Sequence, residues 1–315
     1  MNFIHIKYAV EVAKTRSINK AAEVLYVGQS ALSRAIKELE ASIGVTLFER
    51  SAKGMTLTAD GEVFIKYAQG LLDQVNELEH MFGKGANDVK KKLSIAAPRA
   101  TYIADALAKF SRKLPKDARI EVFYKETNSQ QAIKDLTDGD YKLCVLRYAQ
   151  NYDKYYRAML EDKNLTYEPL AQFKYVLLMN EKCPLATKER ITSDDLRDLI
   201  EIAHADPYVP TLPLAEVKRE ELTDISPRKI FVFERASQFE LFAQNPDIYM
   251  WVSPIPEELR SRYGLIQRTC DENERVYQDV LVHSKNYTLT DLDRSFIEQL
   301  EESKRAAIGP YQINA

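Results

Sequence analysis

"GQSALSRAIKELEASIGVTLFER", residues 28–50, is the stretch that decides the fold of the N-terminal region. Its apolar residues recur at the spacing of one helix face, and polar residues fill the opposite face. The apolar face consists of Ala31, Leu32, Ala35, Ile36, Leu39 and Ile43. The front of the helix instead carries hydrogen-bonding side chains, namely Gln29, Ser30, Ser33, Arg34 and Lys37. We therefore expect a helix that packs against its own domain and presents this front to a partner.

Two shorter helices are predicted before this one. An apolar stripe at helical period runs from Phe3 to Ala13 and indicates the first helix. Ser17 is a candidate N-cap for the second helix, "INKAAEVL", and "YVG" follows it as a tight turn that ends on Gly28. Two short helices joined by a three-residue turn that contains glycine are typical of a helix-turn-helix.

A hairpin and a long helix are predicted next. Two strand-like runs flank "SAKG", residues 51–54, which indicates a small wing. Thr58 is a candidate cap for a helix whose apolar residues are spaced like a coiled-coil seam. The seam consists of Phe64, Tyr67, Leu71, Val75, Leu78 and Phe82. We expect it to pack against a second copy of the chain; the alternative is packing on the C-terminal domain. "GKGAND", residues 83–88, is predicted to be a hinge.

From residue 93 onward, strand-like runs such as "LSIAA", "IEVFY" and "KLCVL" alternate with helical stretches. This alternation predicts βαβ units and a parallel sheet, so the fold class is α/β overall.

The first 62 residues resemble the LysR-type transcriptional regulators. The resemblance is carried by Ala21, Ala22, residues 29–34, Leu39, Glu40, Gly44, residues 47–50, Leu57, Thr58 and Gly61. It implies an N-terminal all-α winged helix-turn-helix with a linker helix, then a two-lobed α/β effector domain similar to periplasmic binding proteins. It also implies a homodimer or homotetramer. One departure is Gly28, where the family usually has a serine N-cap.

The predicted boundaries follow from this architecture. The DNA-binding domain is placed at residues 1–58, the dimerising linker helix and hinge at 59–87, and the effector-binding domain at 88–315. Lobe one is expected at about 93–165 and 269–307, and lobe two at about 166–268.

The resemblance implies that the third helix lies in the major groove of double-stranded DNA, and that this DNA is a promoter or operator. The predicted DNA-binding residues are Gln29, Ser30, Ser33, Arg34, Lys37, Arg50 and Lys53. Arg34 suits guanine O6 and N7, whereas Arg50 and Lys53 suit phosphates or the minor groove. The alternative is that Arg34 and Lys37 pair with nearby glutamates on a solvated helix.

Ligands of two-lobed α/β folds bind at the carboxyl ends of strands, where the lobes meet. On that basis the predicted effector-binding residues are Arg99, Ala100, Thr101, Asn128, Ser129, Arg147, Val209 and Ser253. Arg99 and Arg147 favour an organic acid as the small-molecule effector; the alternative is that both arginines pair with local acids. Lys142, which replaces a common acidic residue, leaves a reshaped or unused pocket as a further alternative.

The composition of the chain argues against several other classes of protein. The 315 residues have a net charge of −3, and no apolar run approaches the roughly 20 residues of a membrane helix. The three cysteines are isolated, which suits a reducing cytoplasm, and the four histidines are far apart. We therefore expect a cytoplasmic protein with no catalytic residues, metal or cofactor. A cytoplasmic solute-binding protein is the alternative from another class, and cysteine-based redox sensing is disfavoured.

Overall fold

The computed structural model describes residues 2–51, 54–82, 90–205 and 225–311. The chain divides into two compact units, residues 1–89 and 90–315. The predicted hinge at 83–88 and the predicted effector residue Val209 lie outside the described residues.

The first unit begins with three helices: α1 (Phe3–Thr15), α2 (Ile18–Leu25) and α3 (Gln29–Ile43). The Ser17 side chain caps α2 by accepting a hydrogen bond from the Lys20 N–H, as the sequence predicted. Apolar residues from all three helices form one buried core, including Val12, Ala21 and Leu32. The predicted helix-turn-helix is confirmed.

The predicted wing is also confirmed. Strands β1 (Phe48–Ser51) and β2 (Gly54–Leu57) pair antiparallel. Gly54 has a φ of +107°, and a Cβ there would lie 2.6 Å from the Arg16 carbonyl oxygen. That oxygen accepts a hydrogen bond from the Met55 N–H at 3.0 Å, so only glycine lets the wing join the end of α1.

The long helix α4 spans Ala59–Phe82. Thr58 caps it, because its Oγ1 accepts a hydrogen bond from the Gly61 N–H at 2.9 Å. A Cβ on Gly61 would lie 2.1 Å from the Leu47 carbonyl oxygen, so glycine permits the close approach of α4 to the start of the wing. Within the predicted seam, Tyr67 and Leu71 are exposed in the single chain, whereas the side chains of Leu78 and Phe82 are outside the described set.

The described part of the second unit contains two five-stranded sheets. The first has the order β4-β3-β5-β12-β6. Its strands are β3 (Lys91–Ala97), β4 (Ile120–Glu126), β5 (Leu143–Ala149), β6 (Glu168–Lys174) and β12 (Val276–His283). Strand β3 runs parallel to β4 and β5, whereas β12 runs antiparallel to β5 and β6. The carboxyl ends of the three parallel strands therefore meet at one edge.

Four helices accompany this sheet: α5 (Thr101–Ser111), α6 (Ser129–Thr137), α7 (Asp153–Asp162) and the closing α10 (Asp291–Ile308). The core on one side includes Tyr102, Phe110 and Phe296. A second core includes Ile133, Leu146 and Tyr156. The sheet is thus buried on both faces, as parallel strands require.

The second sheet has the order β11-β7-β10-β8-β9. Its strands are β7 (Val176–Asn180), β8 (Ile200–His204), β9 (Lys229–Val232), β10 (Ile248–Val252) and β11 (Leu265–Arg268). Helices α8 (Ala236–Gln244) and α9 (Glu257–Arg262) complete the described part of this lobe.

The two sheets correct the predicted lobe boundary. Strand β6, at Glu168–Lys174, was expected in lobe two but pairs with β12 in the first sheet. The chain enters the second sheet at Val176. The physical reason is that β6 completes the open edge left by β12, which the linear order of the chain does not reveal.

Candidate DNA-binding face and effector cleft

The front of α3 is the first candidate site. Gln29, Ser30, Arg34 and Lys37 are exposed and Ser33 is half-buried. On the opposite side Leu32, Ile36 and Leu39 are almost completely buried. The predicted division of this helix into an apolar and a polar face is therefore present in the structure.

Two acids of α3, Glu40 and Glu38, have neighbours other than Arg34 and Lys37. Glu40 Oε1 accepts hydrogen bonds from the backbone N–H groups of Leu47 and Phe48, at 2.7 and 3.1 Å. Glu38 lies 3.9 Å from His5 Nε2. Within the described parts of the chain, Arg34 and Lys37 form neither a hydrogen bond nor an ion pair. The alternative that they pair with neighbouring glutamates therefore finds no support among these residues.

Two of the predicted DNA-binding residues, Arg50 and Lys53, belong to the wing. Arg50 lies in β1 opposite Met55, but its side chain is outside the described set. Lys53 lies outside the described residues altogether. Their proposed contacts with phosphates therefore remain predictions.

A cavity of about 390 Å³ lies between the two sheets of the second unit. From the first sheet it is lined by Arg99, Asn128 and Ser129, which follow the carboxyl ends of β3 and β4, and by Arg147, which lies in the last part of β5. From the second it is lined by Ile202 and His204 of β8 and by Met250 and Trp251 of β10. The cavity is thus a cleft between lobes, at the place where α/β folds bind ligands.

Arg147, predicted to bind the effector, is already paired inside the cleft wall. Its Nε and Nη2 groups donate to the two carboxylate oxygens of Asp279, at 2.8 and 2.6 Å. The same carboxylate accepts a hydrogen bond from the Tyr102 hydroxyl at 2.6 Å. The Asp279 side chain is completely buried and that of Arg147 is 9% exposed. The guanidinium also lies 4.8 Å from the centroid of the Phe173 ring.

The electrostatics of this buried group follow from that geometry. Burial by itself would lower the pKa of Arg147, but the adjacent Asp279 outweighs burial and raises the pKa above its usual value. Burial, and then the charge of Asp279, raise the pKa of Tyr102 well above its usual range. Arg147 is therefore a permanent cation whose charge is largely balanced before any ligand arrives.

The start of α6 supplies two neutral predicted residues. Asn128 caps the helix by accepting a hydrogen bond from the Gln131 N–H at 2.9 Å. The Ser129 hydroxyl donates to the Arg147 carbonyl oxygen at 2.7 Å and accepts from the Arg147 N–H at 3.0 Å. Both residues line the cleft and also fix α6 to β5.

Other predicted effector residues fall in different places. Arg99 is half-buried and lines the cleft. Ala100 is the buried N-cap of α5, and Thr101 lines a second cavity, of about 410 Å³. Only Arg99 of these three residues lines the cleft, because the extended backbone at Ala100 turns the chain into α5 before Thr101. Val209 lies outside the described residues.

Ser253 is buried and is not part of the described cleft wall, which β10 supplies through Met250 and Trp251. Ser253 follows the last residue of β10, and its contact with an effector stays a prediction. The sequence analysis also missed Glu201 of β8, whose buried carboxylate lies 3.4 Å from Lys229 Nζ. Because β8 is a short run with a charged residue inside it, hydrophobic patterning gave no signal for it.

The described cleft wall is balanced in charge. It carries the guanidinium groups of Arg99, Arg147 and Arg275 and the carboxylates of Glu201, Glu272 and Glu274. Hydrogen bonds from Ser193 lower the pKa of Glu272 below its usual value. The cleft therefore offers both donors and acceptors, beside the aromatic rings of Tyr175 and Tyr277, which stack with centroids 4.1 Å apart.

The three cysteines are buried, and burial raises the pKa of each thiol above its usual value. Because the thiolate is the reactive form, these groups are poor candidates for redox sensing. Among the described residues there is no cluster of histidines, cysteines and acids that suits a metal ion. No helix in the described ranges is long and apolar enough to cross a membrane.

Two family models match the chain. The bacterial regulatory helix-turn-helix protein model of the lysR family matches residues 3–62, and the LysR substrate binding domain model matches residues 86–305. The chain belongs to the LysR family. It is a LysR-type DNA-binding transcriptional regulator with an effector-binding domain.

Curated relatives agree with this assignment. The uncharacterized HTH-type transcriptional regulator YcgK of Bacillus subtilis is 32% identical, over 63% of this chain and 56% of its own length. The HTH-type transcriptional regulator AlsR, also of Bacillus subtilis, is 25% identical over 84% of this chain and 83% of its own.

Solved structures share the fold. ArgP from Mycobacterium tuberculosis superimposes with a TM-score of 0.62 at 16% identity, covering 98% of both chains. Full-length CbnR in complex with its target DNA has a TM-score of 0.53 at 20% identity, covering 96% of this chain and 100% of that one. LysG from Corynebacterium glutamicum with bound effector Arg has a TM-score of 0.58 at 15% identity, covering 96% and 98%.

Proposed function

We propose that α3 enters the major groove of an operator and that its exposed front reads the sequence. The observation that carries this proposal is that Arg34 and Lys37 are exposed without partners among the described residues, whereas Glu40 on the same helix accepts hydrogen bonds from the backbone of Leu47 and Phe48. The planar fork of Arg34 suits guanine O6 and N7, and Gln29 suits adenine or a phosphate. Lys53 and Arg50 are proposed to hold the phosphate backbone.

Salt dependence tests this division of roles. Operator fragments are first obtained by mapping the bound promoters genome-wide, and the dissociation constant is then measured across a salt series. Lys53→Ala is expected to weaken operator and unrelated DNA alike and to reduce the salt slope by about one. Unchanged affinity and slope for Lys53→Ala would contradict the phosphate contact.

We infer that the DNA-binding units pair through α4. Val63, Tyr67 and Leu71 are 58%, 72% and 46% exposed in the single chain, which leaves an apolar strip on this helix. A two-fold dimer presents two α3 helices to two half-sites.

Leu71→Asp combined with Leu78→Asp should split this pair, because two charges would enter a buried seam. An unchanged footprint and an unchanged mass on DNA would show that α4 pairs elsewhere. Tetramers formed by separate pairing of the effector domains remain part of the proposal.

We propose an organic acid as the effector of the cleft. Arg99 follows the carboxyl end of β3 and lines the cleft, next to the start of α6 at Asn128 and Ser129. Arg147 keeps donors beyond those given to Asp279, since a guanidinium has five N–H groups. The structural neighbour LysG is described with bound effector Arg, which also carries a carboxylate.

A second hypothesis is a regulator whose cleft is not used. It is favoured by the ion pair of Arg147 with Asp279, which balances the charge that the first hypothesis would use for the acid. A thermal-shift screen of organic acids, amino acids and neutral metabolites on the full-length protein separates the two. Stabilisation by acids supports the first hypothesis, whereas no shift with any compound supports the second.

We place this regulator in the cytoplasm, since the DNA that it binds lies there. We also infer that it is not an enzyme, because its family consists of transcriptional regulators.

A further inference from the structure

Tyr26 lies in the turn of the helix-turn-helix and is not explained by the contacts described above. Its side chain is 96% exposed. Its backbone has φ 54° and ψ 41°, the left-handed conformation that ends α2. Glycine or asparagine is the usual residue at such a position, because a Cβ crowds the backbone there.

Three non-glycine residues have positive φ in the described chain: Arg16, Tyr26 and Asn164. Asn164 is of a type that tolerates this conformation. The strain at Arg16 is accompanied by a tertiary contact, because its carbonyl oxygen accepts a hydrogen bond from the wing at Met55. The backbone of Tyr26 closes α2, because the Val27 N–H donates to the Ala22 carbonyl oxygen at 3.0 Å, but the described residues offer the Tyr26 hydroxyl no hydrogen-bond partner. The fold therefore does not explain the tyrosine side chain.

The position of Tyr26 in the chain suggests a role for its side chain. It precedes the first residue of α3, Gln29, by three positions, and it shares this end of α3 with the exposed Ser30. When the N-terminal end of a recognition helix enters the major groove, the turn before it lies at the groove edge, next to the sugar-phosphate backbone. Tyrosine hydroxyls are among the groups that donate to phosphate oxygens.

A neighbouring residue strengthens this interpretation. Gly28 is the N-cap of α3 and makes no side-chain hydrogen bond. A Cβ at Gly28 would meet no atom within 4 Å, so there is room for a hydroxyl-bearing side chain that this chain lacks. Along the chain, Tyr26 is the last residue before α3 that carries a hydroxyl.

We propose that the Tyr26 hydroxyl donates a hydrogen bond to a DNA phosphate and fixes the register of α3 on the duplex. The proposal rests on the proposed placement of α3 in the major groove. It adds a contact that carries no sequence information. Because the phenol is an uncharged donor, the contact should contribute to affinity without releasing a counterion.

The test compares full-length wild type, Tyr26→Phe and Tyr26→Asn on operator and unrelated duplexes across a salt series. Tyr26→Phe is expected to bind both duplexes about tenfold more weakly, with an unchanged salt slope. Tyr26→Asn should bind equally weakly, yet melt at a higher temperature, because asparagine tolerates the left-handed backbone. Tyr155→Phe, an exposed tyrosine of the effector domain, is the matched control and should bind as wild type.

Three results would overturn the proposal. Wild-type affinity of Tyr26→Phe would show that the hydroxyl makes no contact. A loss confined to the operator would indicate a base contact instead of a phosphate. A changed salt slope would show that the substitution disturbs a phosphate contact of a lysine or arginine instead of removing a neutral hydrogen bond. If Tyr26→Phe binds normally while Arg34→Ala loses discrimination at one base pair, the groove assignment stands and this inference alone fails.

Discussion

Arg34 and Arg147 were both predicted to bind a ligand, and the structure gives them opposite environments. Arg34 is exposed on α3, with no ion pair or hydrogen bond among the described residues. Arg147 is buried at the end of β5 and forms a bidentate ion pair with Asp279. The first guanidinium is available to DNA, whereas the second is largely committed to the cleft wall.

The difference between them is one of desolvation. An exposed arginine keeps its hydration until a partner replaces the water, so its binding capacity is preserved. A buried arginine must be paired in the folded chain itself, because an isolated charge is costly away from water. The presence of an arginine near a predicted cleft therefore says little until its partner is known.

The largest expected effect concerns the buried pair. Asp279→Asn should lower the free energy of unfolding by about 3–5 kcal/mol, because the Arg147 charge loses its counterion in a buried site. Urea denaturation of the full-length protein measures this change. Asp194→Asn, at the exposed pair with Arg197, is the control and should have little effect.

A double variant sharpens this prediction. Arg147→Met with Asp279→Leu should recover most of the lost stability, because no unpaired charge remains. If Asp279→Asn is as stable as wild type, the ion pair does not stabilise the fold. Arg147 would then be available to an effector, as Arg34 is available to DNA.

A smaller effect is expected at Arg99, the half-buried arginine of the cleft. If an acid from the thermal-shift screen binds there, Arg99→Ala should make its binding free energy less favourable by about 1.5–3 kcal/mol. This is the size of a hydrogen bond to a charged group. Isothermal titration calorimetry gives the dissociation constants. A neutral ligand of the same cleft is the control and should bind both proteins similarly. An equal loss of affinity for the acid and for the neutral ligand would show that the substitution distorts the cleft.

The smallest effect is expected at the N-cap of α3. Gly28→Ser should stabilise the protein by a few tenths of a kcal/mol, because serine Oγ can accept a hydrogen bond from an unpaired N–H of the first turn. Gly28→Ala is the matched control: it adds a Cβ without a hydroxyl and should be slightly destabilising. Thermal melts of the three proteins in parallel measure the order serine, glycine, alanine. Alanine at least as stable as serine would contradict the capping argument.

Much of the N-terminal unit could be predicted from the sequence, because its signals are local. The period of Leu32, Ile36 and Leu39 predicted α3, and Thr58 predicted the start of α4. The roles of Gly54 and Gly61 were not predicted, because they depend on carbonyl oxygens of Arg16 and Leu47, which are distant in sequence.

The effector domain was predicted in outline only. Strand β6 contains Pro169, which weakens a strand prediction, yet the strand forms at the edge of the first sheet, where proline is tolerated. The pairing of Arg147 with Asp279 joins residues 132 positions apart, so no local pattern could reveal it. Arg99, Asn128, Ser129 and Arg147 line the cleft, and their contacts with an effector stay predictions. Pairing of Arg147 with an acid was the alternative, but the sequence could not identify Asp279 as its partner.

The most direct test of the comparison is base discrimination by Arg34. The affinities of wild type and Arg34→Ala are measured on a panel of operators that each carry one substituted base pair. We expect Arg34→Ala to bind the intact operator with a binding free energy about 1–3 kcal/mol less favourable, and to lose discrimination at one position while keeping it elsewhere. Wild-type affinity for the operator with unchanged discrimination at every position would contradict the assignment of the α3 front to the major groove.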